Sequence, residues 1–143
     1  MSAASELMQA IYTRLTGDSA FMVQLGSGVV TDRLLEKKVL PCVVFAELDS
    51  RDYSTASERG QEHFIRIDIW GDGQSRKQLQ GLSQSIKQLL NDAALELGNG
   101  QMLVSLFFLS ERAARDKGKA EQVVSLRFRA VTEETAIGDG IDP

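Results

Sequence analysis

Residues 61–70, QEHFIRIDIW, decide how this chain folds. Ile65, Ile67 and Ile69 alternate with Arg66, Asp68 and Trp70, which is the period-two pattern of a half-buried antiparallel strand. One face carries three β-branched side chains, each contributing about 1.5–3 kcal/mol when buried. Something apolar must therefore cover that face. The opposite face carries two charges and the single tryptophan of the chain.

The cover is legible on both sides of this strand. Downstream, Gly71, Asp72 and Gly73 form a turn, and Leu79, Leu82, Ile86, Leu89 and Ala93 then recur at helical spacing. Upstream, Leu7, Met8, Ile11 and Leu15 make an amphipathic helix that Ser2 or Ser5 can cap and that stops near Gly17. Asp18 caps a short helix through Phe21, Met22 and Leu25, stopped by Gly26 and Gly28. Val29 to Leu34 reads as a brief strand, and it resumes after Pro41 as the β-rich run from Cys42 to Leu48.

Asp49 to Gly60, DSRDYSTASERG, is polar or small throughout and reads as a long loop ordered by a partner, with Arg51, Asp52, Tyr53, Glu58 and Arg59 as its contact residues. Met102 to Leu109, MLVSLFFL, predicts a strand covered on both faces or joined to a neighbour. After the polar turn ARDKGK, Val124, Leu126, Phe128 and Ala130 alternate with Ser125, Arg127 and Arg129, giving the second arm of a hairpin. The closing EETAIGDGIDP has little to bury.

The expected architecture is α+β, an antiparallel sheet of about four strands with two main helices packed on one face. A single domain spans 1–135, and 136–143 is a flexible tail. At 143 residues, with 43% hydrophobic and 25% charged residues, the chain can bury a full core without staples. The net charge of -4 argues against a protein built to grip a phosphate backbone. One cysteine, Cys42, excludes an internal disulfide and a thiolate metal cluster. The start lacks the pattern of a secretory signal, and no run of apolar residues is long enough to span a membrane.

Reactive groups do not converge. His63 is the only histidine, so a serine or cysteine nucleophile would depend on it. It shares parity with Ile65, which predicts a structural place at the end of the core face. Cys42 lies in a β-rich run without basic neighbours and reads as a packed thiol. No nucleotide, metalloprotease or calcium-loop motif occurs, and nothing calls for a cofactor or metal ion. The helix-free face is the informative one: Arg66, Asp68, Trp70, Arg127 and Arg129 together read as a solvated surface, a subunit contact or a nucleic-acid contact.

Taken together, ELMQAIYTRLTGDSAFMVQLGSGVVTDRL, LPCVVFAEL, IRIDIWGDGQSRKQLQGLSQSIKQLL and MLVSLFFLSERAARDKGKAEQVVSLRFRAVTEE resemble the tail-terminator, or tail-completion, family of long-tailed phages, prophages and gene transfer particles. The resemblance implies a non-enzymatic subunit, made in the host cytoplasm and assembled at the head–tail junction. It implies a ring of copies, usually six, that meets the tail tube protein on one side and a neck or head-completion protein on the other. DNA would be only in transit through its channel, and no membrane is involved. Two other readings stay open: a small ligand-binding or catalytic domain around His63, and a DNA-contacting neck module using Arg66, Arg127 and Arg129.

Overall fold

Apolar periodicity and capping produce most elements where they are expected. A computed structural model describes residues 2–33, 39–72, 76–116 and 121–135. Helix α1 (Ala3–Thr16) begins at Ser2, whose hydroxyl accepts from the Ser5 backbone N–H at 3.1 Å. Helix α2 (Ser19–Leu25) begins at Asp18, whose carboxylate accepts from Phe21 N–H at 2.9 Å, and it ends at Gly26 with φ 69°. Each cap satisfies a donor that the first helical turn would otherwise leave unpaired.

Strands β1 (Val30–Thr31), β2 (Cys42–Asp52) and β3 (Gly60–Asp72) follow, then helix α3 (Arg76–Leu90), and then the arms β4 (Gln101–Asp116) and β5 (Glu121–Glu134). They form one five-stranded sheet in the order β1-β2-β3-β5-β4. The α+β class stands as expected, but the sheet is mixed rather than wholly antiparallel. Val29 to Leu34 does not continue into β2 as one strand; β1 runs beside β2 in parallel, at Val30↔Val43 and Thr31↔Val44. Such a pairing needs a returning connection between the strands, and residues 34–38 of that connection lie outside the described residues.

All three helices bury their apolar sides in one cluster with Ile65, Ile67, Ile69, Val124, Leu126 and Phe128. Leu7, Ile11 and Leu15 come from α1, Phe21 and Leu25 from α2, and Leu79, Leu82, Ile86 and Leu90 from α3. Helix α3 stops at Leu90, short of Ala93, because Asp92 takes φ 58° and its N–H donates to Leu106 O on β4 at 2.7 Å. A buried carboxylate ties the helices to the next turn: Glu6 accepts from Gly98 N–H at 2.9 Å and from Asn99 Nδ2 at 2.7 Å.

The expected twelve-residue loop is shortened to seven residues, 53–59, because strand takes in both of its ends. β2 continues to Asp52 and β3 starts at Gly60, with Ser50↔His63, Arg51↔Glu62 and Asp52↔Gln61 in register. On β2 the residues of this stretch, Asp49 to Asp52, are exposed, so the ladder forms without an apolar stripe to announce it. β5 likewise takes in Glu133 and Glu134, which continue the ladder opposite Gln101 and Met102 instead of fraying. Residues 136–143, read as the flexible tail, lie outside the described residues, as do 117–120 of the polar turn.

Candidate functional site: the helix-free face of the sheet

Alternation sends Arg66, Asp68 and Trp70 to the face opposite Ile65, Ile67 and Ile69, and register carries that face across the neighbouring strands. Arg66 stands opposite Arg127, Phe64 opposite Arg129, and Trp70 opposite Val123 on β5. Two arginines directly opposite each other would repel. The sheet resolves this with Glu47 on β2, which pairs with Arg66 and, at 3.5 Å, with Arg127. Arg66 also donates from Nε to Asp68 at 3.1 Å.

Glu47 reaches this face through a β-bulge between Phe45 and Glu47. Without the extra residue, alternation from Val43 would turn Glu47 toward the helices. The same bulge puts Leu48 opposite Ile65, on the helix side but at the sheet edge, where it is partly exposed. Glu62 forms a second hub. It accepts from Arg129 Nε at 2.6 Å and lies 3.5 Å from Arg51 Nε. That hydrogen bond is the main cause that raises the pKa of Arg129 and keeps its guanidinium charged.

Of the residues singled out in the sequence, Arg66, Asp68, Arg127 and Arg129 thus belong to one ion-paired surface, with Trp70 and the buried Cys42 facing each other at its far end. Asp68 is itself buried. Arg51 sits on β2 with its guanidinium 4.9 Å from the centre of the Phe64 ring, and Arg129 lies 5.5 Å from the Tyr53 ring centre. Such cation–π contacts stiffen the hairpin end beside the ion pairs.

The remaining hairpin residues satisfy one another. Tyr53 N–H donates to Gly60 O at 2.9 Å, Thr55 N–H to Glu58 O at 2.8 Å, and Ser54 Oγ to Asp52 at 2.7 Å. Glu134 N–H donates to Arg59 O, stitching the turn to β5. Glu58 also lies against Glu133, whose carboxyl is pushed above its ordinary value by burial and then by that like charge.

His63 is fully buried on the core face. Its Nδ1 lies 2.7 Å from Ser50 Oγ and its Nε2 lies 2.9 Å from Thr132 Oγ1. Burial lowers its pKa, which keeps the ring neutral. A nucleophilic dyad needs a group that orients and charges the imidazole, commonly a carboxylate; here a threonine hydroxyl occupies that place. The broad polar hollow beside the hairpin, lined by Asp52, Ser54, Glu58 and Arg59, does not have His63 in its walls. Among the described residues no group of three or more His, Cys, Asp or Glu side chains is placed to hold a metal ion, and no helix is long and apolar enough to cross a membrane.

Sequence reading missed Glu47, because the bulge that turns it outward leaves no mark in the hydrophobic pattern. For β4 the strand and its joining to a neighbour, β5, are as expected, but cover on both faces is not found: β4 is an edge strand with one face open. Met102, Val104, Phe107 and Leu109 are exposed there, and bulges between Leu103 and Ser105 and between Phe108 and Ser110 reset the alternation twice.

Residues 9–133 match the family model of the tail completion protein gp17. Among solved structures, a chain of the virion of a native gene transfer agent particle is similar, with 25% sequence identity and a TM-score of 0.81. The likeness covers 93% of this chain and 99% of that one. A comparison with curated proteins finds no match. A family match across almost the whole sheet and its helices, joined to the same fold in a gene transfer agent virion, leaves one assignment: this chain belongs to the tail completion protein gp17 family, structural proteins of phage-type tails.

Proposed function

We propose that this chain is the tail terminator subunit of a phage or phage-like particle, forming a ring of copies, six by expectation, that caps the tail tube and joins it to the head or neck. The observation that carries this reading is the family match over residues 9–133. The sheet supports it, since one face is sealed by three helices and the other is left open as a rigid, charged platform. In this reading Arg66, Asp68, Trp70, Arg127 and Arg129 belong to the assembly surface. Arg51, Asp52, Tyr53, Glu58 and Arg59 belong to a hairpin that docks on a neighbour without having to fold first, because its hydrogen bonds are already made.

Capping works by occupancy: the ring covers the last tube surface and denies the next tube subunit its site. The chain is assembled into the particle at the head–tail junction, and its remaining partners are the tube protein and the neck protein. DNA slides past. Arg66 pairs with Glu47 and Asp68, Arg127 with Glu47, and Arg129 with Glu62, so these arginines of the open face leave little positive charge for phosphates, while exposed Arg112 stands nearer the sheet edge on β4, opposite Ser125. No catalytic role is assigned.

Electron microscopy of particles made without this protein tests the proposal. Unjoined heads together with tails of abnormal length are expected. Normal, infectious or transfer-competent particles would refute it.

A further inference from the structure

Two apolar surfaces lie at opposite edges of the sheet. On the edge strand β4, Met102, Val104, Phe107 and Leu109 are each 45% to 50% exposed. Met102 and Phe107 stand on the helix-free face opposite Glu133 and Arg129, and Val104 and Leu109 fall at the two bulges. Four large apolar side chains along one strand form a stripe rather than a scatter, and such a stripe marks a contact surface. At the other edge, Met8, Tyr12, Val30 and Phe45 line a groove of about 510 Å³ between α1 and strands β1 and β2, with Asp32 in its wall.

Strand addition along the middle of β4 is blocked. Asp92 N–H donates to Leu106 O at 2.7 Å, and Phe108 N–H donates to Asn91 Oδ1 at 2.9 Å, so the segment after α3 occupies the outward backbone groups there. Capped edges and bulges are the usual means of preventing uncontrolled strand pairing. A contact at this strand must be made by side chains.

We propose that the Met102–Leu109 stripe of one copy seats in the α1–β1–β2 groove of the next, forming the subunit contact of the ring; this rests on the ring reading given above. A second copy is the occupant because both halves of the contact are present on every chain. A patch that meets a different patch of an identical molecule makes a head-to-tail contact, which closes into a ring when the rotation allows. The two patches lie at opposite edges, so each copy can use both at once. Charge agrees: exposed Arg112 and Arg115 follow the stripe on β4, and Asp32 stands in the groove wall.

The test uses the full chain with Tyr12→Cys combined with Phe107→Cys, or with Leu109→Cys, oxidised both as purified protein and in assembled particles. Within one chain β1 and β4 are four strand spacings apart, about 19 Å. Tyr12 on α1 lines the groove beside β1 and β2 whereas Phe107 lies on the helix-free face, so the sheet stands between Tyr12 and Phe107 and keeps them from the roughly 4.4–6.8 Å between α-carbons that a disulfide spans. A covalent ladder extending past the dimer is therefore expected only from the double variants. Cys42 is buried and stays out of the reaction. Phe107→Asp should weaken self-association by about 30-fold or more while leaving the circular dichroism spectrum unchanged, since the ring is exposed. Oligomers or finished particles that give no ladder, or a bridge to a different protein, would overturn this contact and leave the ring reading standing. A chain that stays a single copy in solution and in particles would overturn both.

Discussion

The Nε2 of His63 lies 2.9 Å from the Oγ1 of Thr132, joining β3 to β5 inside a region that excludes water. With Ser50 on the other nitrogen, the imidazole spans three adjacent strands. A ring held this way is a latch between strands, and its neutral form is the one the fold accepts.

This makes stability depend on pH in a defined direction. Burial sets the folded pKa of His63 below its ordinary value of 6.5, so between those two values the unfolded chain binds more protons. The latch contributes fully above 6.5, and stability falls as pH drops through that value toward the folded pKa. Thermal unfolding of the native chain should show a declining Tm between pH 7.5 and 5.5. His63→Asn should be less stable by about 1–3 kcal/mol at neutral pH, with a flatter profile over the same interval. Parallel profiles would show that His63 does not carry the dependence.

Gly28 separates two kinds of glycine requirement. A Cβ there would lie 1.8 Å from the Pro41 carbonyl oxygen, a backbone atom, so Gly28→Ala forces the chain apart at the start of β2. A loss of about 2–4 kcal/mol is expected. At Gly100, with φ +76° and no atom within 4 Å of the added carbon, alanine meets only backbone strain. Its cost should be about 1 kcal/mol. Chemical denaturation of the two variants side by side checks the order.

Glu6 bridges parts of the chain more than ninety residues apart, from α1 to Gly98 and Asn99. Glu6→Ala leaves the Gly98 N–H without its acceptor and should cost about 1–3 kcal/mol. Glu6→Gln keeps one carbonyl acceptor and should cost less. Equal unfolding midpoints for the two variants would mean that packing, and not the hydrogen bonds, matters at this position.

Glu47 offers a test of the charged face. Its carboxylate and its arginine partners are all partly exposed, so Glu47→Ala should change stability by no more than about 1 kcal/mol. The same change strips Arg127 of its carboxylate and leaves Arg66 with Asp68. At physiological ionic strength the native chain should show no salt-sensitive retention on duplex DNA, and the variant should gain weak retention. Strong binding by the native chain would favour a DNA-contacting module.

Much of this protein is written in its local patterns. The isoleucine alternation at 65, 67 and 69, the leucine spacing of α3, and the caps Ser2 and Asp18 act within a few residues, so periodicity and side-chain chemistry reveal them directly. The helix-free face followed from the same alternation, and with it Arg66, Asp68, Trp70, Arg127 and Arg129.

What only the tertiary structure decided were the relations that depend on a partner strand. Bulges in β2 and β4 turn Glu47 outward and leave Met102, Val104, Phe107 and Leu109 on an open edge, although the sequence there reads as evenly apolar. The parallel β1–β2 pairing and the polar ladder from Ser50 to Asp52 were hidden for the same reason. A strand's register and neighbours are set by residues far away in the chain, so no local window of sequence contains them.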